Sequence, residues 1–294
     1  MKHNKALGQI SFLIKLLTDR DEFVRNRVQE QLIDLGEDAL PFLEIAVRGG
    51  DDDLRIQANA VIQSILPQKL AEKFRQLAQK GLGQDIDLET GMMLIMEFGY
   101  PNSDPEEFRQ KLDKLAQNFS DILNPEAEPP EIVAAFTHFL FQQKGFKGNK
   151  DDYQNPDNSF LNKVLDNQTG LPITLSAICV LLAKRLHLPI VGVGMPGHYI
   201  VKYSLPIEPI YFDPFHQGRL LTKKECIQIV EQFGHSFEEH FLSQATQRET
   251  LIRMLNNLIQ VYKKSNETKK AETLTKYIKI LLNPSKDQQS ERIH

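Results

Sequence analysis

A change in hydrophobic periodicity near Pro189 constrains the fold of this chain more than any other feature. Residues 171–186 repeat apolar side chains every three or four positions, which predicts one helix. Residues 189–194 form a short apolar run, and residues 198–203 and 210–213 alternate or read as short strands. Strands this close in sequence pair as antiparallel neighbours. The pattern predicts a mainly α fold with a small α+β core, in which a short antiparallel sheet packs against one helix.

Helical periodicity also covers both flanks of this core. Residues 6–66 contain two similar segments, each with a helix end, an acidic turn and a helix with an arginine near its start. They resemble a pair of HEAT-type helical hairpins, although an unrelated bundle fits the same pattern. Residues 256–284 resemble one tetratricopeptide-type hairpin, with Tyr262 and Ala271 at the spacing of that repeat. An ordinary helical hairpin fits them almost equally well.

These patterns divide the chain into regions. We expect HEAT-like hairpins in residues 1–68, a helical segment packing on the core in 69–145, the α+β core in 146–222, a C-terminal helical region in 223–284 and a disordered polar tail in 285–294.

Composition limits the classes of partner and compartment. The net charge is −4 with both signs spread along the chain, so we expect no nucleic-acid partner. Cys179 and Cys226 are the two cysteines, which gives neither a disulfide framework nor a cysteine-rich zinc site. No run reaches about 18 apolar residues and no signal-peptide pattern opens the chain. We therefore expect a cytoplasmic protein that does not enter a membrane.

A histidine and an aspartate on neighbouring predicted strands are the first candidates for chemistry. His198 follows a Pro-Gly pair, and Asp213 ends the next strand. Antiparallel pairing brings them together, where the carboxylate would fix the histidine tautomer and stabilise its cation. From spacing alone, the favoured interpretation is that the pair simply ties the strand ends together. His216 adds a possible metal ligand, but no helical His pair or cysteine pair supports a metal site, and we expect none.

Three residues of the helix over 171–186 are candidate nucleophiles. Thr174 and Ser176 lie near its first turn, and their hydroxyls could attack a substrate if His198 reached them. Such hydroxyls more often satisfy free backbone groups. Cys179 lies about two turns inside the helix on its apolar face, beyond the reach of the helix-terminus effect. We expect a buried and unreactive thiol there.

Residues 192–197 match the glycine spacing of a dinucleotide-binding loop. That loop needs a helix after its third glycine, and here the alternating segment 198–203 follows. The glycines therefore predict a tight turn, and we expect no cofactor.

With these residues identified, the chain resembles a bacterial family of transglutaminase-like proteins, from residue 85 to residue 285. The core of that family is related to the transglutaminase and papain-like fold, and a C-terminal helical repeat often follows. The matching positions are Asn158-Ser159, Val164-Leu165, Gly170 to Ser176, Leu186, Gly192-Val193, Pro196 to His198, Asp213 to Phe215 and Gly218, with residues 100–116 before them.

The resemblance implies the roles of the site residues. In transglutaminase-like enzymes a cysteine opens the helix, a histidine starts a following strand and an aspartate lies on the next one. His198 and Asp213 match the last two positions. The cysteine position falls within residues 172–176, which contain no cysteine. The resemblance therefore implies a transglutaminase-like core without its thiol nucleophile.

Two functions follow from these residues and this resemblance. The first is a non-enzymatic or vestigially enzymatic module, flanked by helical repeats, that binds a protein or peptide in the former substrate cleft. The alternative is an active hydrolase or acyltransferase that uses Thr174 or Ser176, or with less support Cys179, together with His198 and Asp213. Neither the partner, the substrate nor the oligomeric state follows from the sequence.

Overall fold

The computed structural model of the protein describes residues 2–81 and 83–283. The chain folds into two compact units, Met1–Lys73 and Phe74–His294. The finer boundaries expected inside the second unit stay predictions.

The first unit is built from helices. They are α1 (Lys2–Lys15), α2 (Glu22–Leu35), α3 (Leu40–Arg48) and the first part of α4 (Asp52–Lys80). The Asp21 carboxylate caps α2 by accepting a hydrogen bond from the Phe23 amide at 2.9 Å. Leu17, Leu32 and Leu43 are fully buried in the core between these helices. The described helices agree with the helical periodicity, whereas their identity as HEAT repeats stays a prediction.

Helix α4 is longer than the sequence pattern predicts. Apolar spacing predicts separate helices over residues 54–66 and 69–80, whereas α4 is one helix that runs through Pro67. Proline removes one intrahelical hydrogen bond and crowds the preceding turn. Ile65 and Leu70 are buried on either side of it, and burial of their side chains offsets that cost.

The second unit contains most of the helices and all the strands of the described residues. Its further helices are α5 (Leu88–Gly99), α6 (Pro105–Ser120), α7 (Pro129–Thr137), α8 (Leu161–Asn167), α9 (Pro172–Leu186), α10 (Lys223–Gln232), α11 (Gln247–Lys264) and α12 (Thr268–Leu282). A π-helical turn, His138–Gln143, extends α7. Asp104 caps α6 as its sequence indicates, by accepting a hydrogen bond from the Glu106 amide.

The main sheet has four antiparallel strands in chain order. They are β3 (Ile190–Val193), β4 (Ile200–Tyr203), β5 (Ile210–Asp213) and β6 (Arg219–Leu221). A separate parallel pair joins β1 (Lys147–Gly148) to β2 (Thr169–Gly170). The predicted fold class, mainly α with a small α+β core and a short antiparallel sheet, is confirmed. The sequence pattern did not indicate β1, β2 or β6, which are three residues long at most.

Helix α9 lies at the centre of the second unit. It is apolar almost all round, as expected for a helix buried on every side. It contacts β3, β4 and the tight turn Pro214–His216. The same helix therefore supports the start of β4 and the end of β5, where the candidate site residues lie.

Helices α11 and α12 form a closely packed hairpin. Tyr262 and Ala271 are buried in it, and Tyr277 stacks on Phe74 with ring centroids 4.7 Å apart. Before this hairpin, residues 233–246 contain only a short 3₁₀ turn, so the predicted helical region is interrupted there. Its likeness to a tetratricopeptide repeat stays a prediction. The tail expected to be disordered, residues 285–294, lies outside the described residues.

Membrane crossing requires a helix that is both long and apolar. None of the described helices meets both conditions.

Candidate functional site

The fold brings His198 and Asp213 into direct contact. Strands β4 and β5 pair Val201 with Phe212, which places Asp213 at the end of β4 that adjoins His198. The His198 Nε2 atom lies 2.7 Å from Asp213 Oδ2. Both residues are buried, with 8% of His198 exposed. The strand order predicted from the sequence therefore leads to a hydrogen-bonded pair.

A tight turn sets the position of His198. The His198 amide donates to the Met195 carbonyl at 3.3 Å, and Gly197 between them has φ +74°. That backbone conformation favours glycine. A Cβ atom at Gly197 would also overlap the ring of Phe233. The predicted tight turn is therefore present at residues 195–198, whereas Gly192 and Val193 belong to β3.

Asp213 is held by four hydrogen bonds. Its Oδ1 atom accepts from the amides of Phe215 and His216 at 3.0 and 3.3 Å. Its Oδ2 atom accepts from His198 Nε2 and His216 Nδ1, each at 2.7 Å. Burial alone raises the pKa of Asp213, but the bonds and charges of His198 and His216 outweigh it. The pKa of Asp213 therefore lies below its ordinary value.

The ionised Asp213 defines the tautomers of both histidines. A carboxylate without a proton only accepts, so each imidazole donates its N–H at the bonded nitrogen. Neutral His198 then presents a lone pair at Nδ1, which makes no hydrogen bond within residues 2–81 and 83–283. His216 differs in exposure, with 46% of its side chain open to solvent. One carboxylate thus joins a buried imidazole to a solvent-facing one.

The same three side chains are a potential metal-ligand set. The ligand atoms of His198, Asp213 and His216 all lie within 4.8 Å of one another. Two histidines and one carboxylate bind transition metals in many proteins. Here, however, the two nitrogens donate protons to Asp213, and a metal would require their lone pairs instead. A metal held by these three side chains would have to replace both hydrogen bonds between the imidazoles and Asp213.

The candidate nucleophiles are enclosed. Thr174 and Ser176 are both 0% exposed. Ser176 Oγ donates to the Tyr199 carbonyl at 3.4 Å, whereas Thr174 Oγ1 has no hydrogen-bond partner within the described residues. Cys179 is also buried, and burial raises the pKa of its thiol above the ordinary value. In the described part of the chain, no hydrogen bond joins any of these three side chains to His198.

Aromatic residues surround the histidine pair. Phe215 meets His198 edge to face at 6.4 Å between centroids and Tyr153 at 5.9 Å. Gly148 in β1 lies directly against the Phe215 ring, so a Cβ atom there would overlap it. Tyr153 belongs to the loop that follows β1, and its side chain is exposed. The sequence pattern did not identify Tyr153 or Phe215 as site residues.

Asn158 anchors the same loop. It is buried, donates to the Asp152 carbonyl at 2.7 Å and accepts from the Asn149 amide group at 2.9 Å. The main-chain carbonyl of Asn158 accepts a hydrogen bond from the amide of Leu171, the residue immediately before α9. Asn158 therefore connects the loop to the start of the central helix.

Arg253 is a further residue that the sequence pattern did not reveal. It belongs to α11, and its guanidinium donates to the carbonyls of Met195 and His198 at 2.7 and 2.9 Å. Burial lowers the pKa of Arg253 below its ordinary value. The only sequence signal is an arginine between the apolar positions Leu251 and Leu255 of an amphipathic helix. The C-terminal hairpin thus helps to hold the turn that carries His198.

Comparison with known proteins agrees with this architecture. Residues 106–256 match the family model described as the transglutaminase-like superfamily. A UPF0162 protein of Xylella fastidiosa (strain 9a5c) is 33% identical over 198 residues, which cover 64% of this chain and 69% of that protein. The counterpart in strain Temecula1 is 33% identical over 189 residues, covering 61% and 66%.

A eukaryotic relative matches a shorter segment. Mouse F-box only protein 21 is 30% identical over 142 residues, which cover 46% of this chain but 22% of that protein. No solved structure matches the chain. The family model covers more than half of the sequence, and the chain belongs to the transglutaminase-like superfamily.

Proposed function

We propose that this protein is a transglutaminase-like module that binds a peptide segment of a partner protein beside His198, without thiol chemistry. One observation carries the proposal. The resemblance puts the nucleophile in the first turns of α9, which begins at Pro172. The two hydroxyl residues of these turns, Thr174 and Ser176, are completely buried. The histidine and aspartate positions are nevertheless intact, joined at 2.7 Å. The base is in place, and no accessible nucleophile of α9 accompanies it.

The His198 imidazole supplies a directional binding group. Asp213 fixes its Nε2 atom, so its Nδ1 atom is free to accept a hydrogen bond from a peptide N–H when neutral and to donate when protonated. The exposed Tyr153 adds aromatic surface nearby, packed on the buried Phe215 ring that contacts His198. A fixed polar group beside aromatic surface suits a peptide whose backbone and one apolar side chain bind together.

Helical surfaces elsewhere in the chain extend the proposal. If the helices of the first unit and the α11–α12 hairpin act as HEAT-like and tetratricopeptide-like repeats, they offer further surfaces for a protein partner. The proposal includes a cytoplasmic location, in keeping with two buried free cysteines, and excludes nucleic acid because the net charge is −4.

An active hydrolase or acyltransferase is the competing proposal. It requires the Thr174 or Ser176 hydroxyl, or the Cys179 thiol, to reach His198. Ser176 already bonds the Tyr199 carbonyl, and Thr174 would need α9 to move before any substrate could touch it. The scaffold is therefore the better-supported function.

Peptide binding with matched variants tests the two proposals. An array of overlapping peptides from candidate partners identifies a ligand, and fluorescence anisotropy measures its affinity for the protein. We expect His198→Ala to weaken binding by about tenfold or more, because a buried hydrogen bond is lost. His235→Ala, a change at an exposed histidine, should leave the affinity unchanged.

The same peptides distinguish binding from catalysis. Incubation with the wild-type protein and an amine acceptor should leave them intact by mass spectrometry. Cleavage or acyl transfer that is lost in Ser176→Ala or Thr174→Val would replace the scaffold with the enzyme. Equal peptide affinities of the wild type and His198→Ala would remove His198 from the binding site.

A further inference from the structure

A cavity of about 500 Å³ lies next to the turn that carries His198. Its lining includes Gly194, Pro196, Tyr199, Phe241, Ala245 and Arg253. His198 and Asp213 do not line it, because the His198 side chain turns towards Asp213 while its carbonyl bonds Arg253. Pockets of this size hold small organic ligands. The cavity is therefore distinct from the histidine pair, and the turn at residues 195–198 adjoins both.

Arg253 brings a positive charge into this cavity without a carboxylate partner. Among the described residues, no Asp or Glu side chain pairs with its guanidinium. Its bonds to the Met195 and His198 carbonyls use two of the N–H groups that a guanidinium carries, and the others stay available. The group also lies over the Tyr199 ring, 5.6 Å from its centroid. A half-buried cation with spare donors is suited to an anion.

The acidic group nearest in sequence is engaged elsewhere. Glu249 lines the same cavity, but its carboxylate accepts from the Thr246 amide and hydroxyl at 2.8 and 2.9 Å, in the cap of α11. His240 also lines the cavity, and its Nδ1 atom lies 3.1 Å from Glu238. The guanidinium of Arg253 is therefore available to pair with one negative charge on a ligand. A doubly charged anion would be repelled by Glu249 with no second cation to compensate.

We propose that this cavity binds a small carboxylic acid with an apolar group. The carboxylate would pair with Arg253, whose planar fork matches its geometry. The apolar group would lie against Tyr199, Phe241 and Ala245, which line the same space. This inference does not depend on peptide binding at His198. It adds a second ligand, whose binding would also stiffen the turn between the two sites.

Calorimetric titration of the full chain tests the proposal with N-acetyl-phenylalanine and its neutral amide as probes. We expect the acid to bind at least about tenfold more tightly than the amide, because only the acid forms charge-assisted hydrogen bonds with Arg253. Sulfate serves as an anion without an apolar group and should compete weakly. No saturable binding of the acid, equal affinities of acid and amide, or sulfate binding as tightly as the acid would each overturn the proposal.

Four variants locate the site. Arg253→Gln should remove the preference for the acid, but it also loosens the Met195–His198 turn. Ala245→Leu therefore provides a second route, since it fills the cavity and leaves Arg253 in place, and it should weaken acid binding equally. Glu249→Gln keeps the helix cap and should tighten binding several-fold by removing a repelling charge. Lys263→Gln removes an exposed positive charge of the same helix and should change nothing.

Unaltered acid binding by Ala245→Leu would place the ligand elsewhere and overturn the proposal. His198→Ala separates the two sites, because it removes the imidazole and keeps the carbonyl that Arg253 bonds. It should leave acid binding unchanged while it weakens peptide binding. The two binding measurements can therefore fail independently, so that the loss of one proposal is distinguishable from the loss of the other.

Discussion

At the scale of single residues, buried hydroxyl groups of the same type differ in their hydrogen bonding. Thr174 and Thr250 are both buried threonines of the second unit, but their hydroxyls differ. Thr250 Oγ1 lies 2.7 Å from the Tyr199 hydroxyl and donates to the Thr246 carbonyl at 2.8 Å. Thr174 Oγ1 has no partner among the described residues. A buried hydroxyl without a partner costs free energy, whereas a paired one stabilises.

Replacing each threonine by valine should therefore shift stability in opposite directions. Thr174→Val removes an unsatisfied hydroxyl and should raise the free energy of unfolding by about 1 kcal/mol. Thr250→Val, the matched control, leaves the Tyr199 hydroxyl unpaired and should lower it by about 1–3 kcal/mol. Urea denaturation followed by circular dichroism measures both. Equal destabilisation by the two changes would mean that Thr174 makes a hydrogen bond in solution.

The charge of Asp213 makes part of the stability depend on pH. Its folded-state pKa lies below the ordinary value of 3.8, so its contribution is fully present above that value. The contribution declines as pH falls through 3.8 towards the folded-state pKa, because the unfolded chain then binds the proton more readily.

Asp213→Asn provides the comparison. At pH 5 the asparagine variant should be less stable by about 2 kcal/mol, because its amide group cannot accept from two imidazoles and two backbone amides at once. Urea denaturation between pH 5 and pH 3 should find this difference shrinking as Asp213 becomes protonated. A difference that stays constant over that interval would contradict a depressed pKa of Asp213.

At the scale of elements, short turns set the geometry that longer elements only support. The turn before β4 depends on Gly197, which has φ +74° and lies against the Phe233 ring. Gly234 has a similar φ of +80° but faces open space. The two glycines thus share a backbone requirement and differ in packing. Comparing them separates the two effects.

Gly197→Ala should therefore cost more than Gly234→Ala. The change at Gly234 adds only the left-handed backbone penalty of about 1 kcal/mol. The change at Gly197 adds that penalty and a clash with Phe233, so we expect about 2–3 kcal/mol. Thermal denaturation of both variants, and of Gly197→Ala combined with Phe233→Ala, measures the difference. If the double variant recovers none of the loss, Phe233 does not pack on this turn.

For the whole molecule, the division into two compact units has a spectroscopic consequence. All seven tyrosines and both cysteines lie in the second unit, Phe74–His294, and the chain has no tryptophan. Tyrosine fluorescence and thiol labelling therefore report only that unit. The helical circular dichroism signal at about 222 nm reports both units, because every helical peptide group contributes to it. The two kinds of probe can resolve the units without any mutation.

We expect tyrosine fluorescence and labelling of Cys179 and Cys226 to share one urea midpoint, because these residues belong to one compact unit. In the native protein both thiols should label slowly at neutral pH, since both are buried and burial raises the pKa of Cys226 to about 12. Peptide mass spectrometry assigns each label. Rapid labelling of native Cys179 would revive a thiol mechanism, and separate midpoints would divide the second unit further.

The sequence by itself determined the features that depend on near neighbours. The helix over α9 follows from apolar spacing within a few residues, and β3, β4 and β5 follow from short apolar or alternating runs. The pairing of His198 with Asp213 could be predicted because consecutive strands are neighbours in an antiparallel sheet. The type of each long element and one pair of site residues were therefore predictable.

Tertiary structure decided the features that depend on distant packing. Arg253 reaches the His198 carbonyl across 55 residues of chain, and nothing in the local pattern of α11 indicates that contact. Burial of Thr174 depends on the elements packed around α9, although its hydroxyl could equally have faced a cleft. The second bond of Asp213, to His216, depends on the turn at Pro214. Periodicity identifies which face of an element is buried, but only the packed chain determines which side chain meets which.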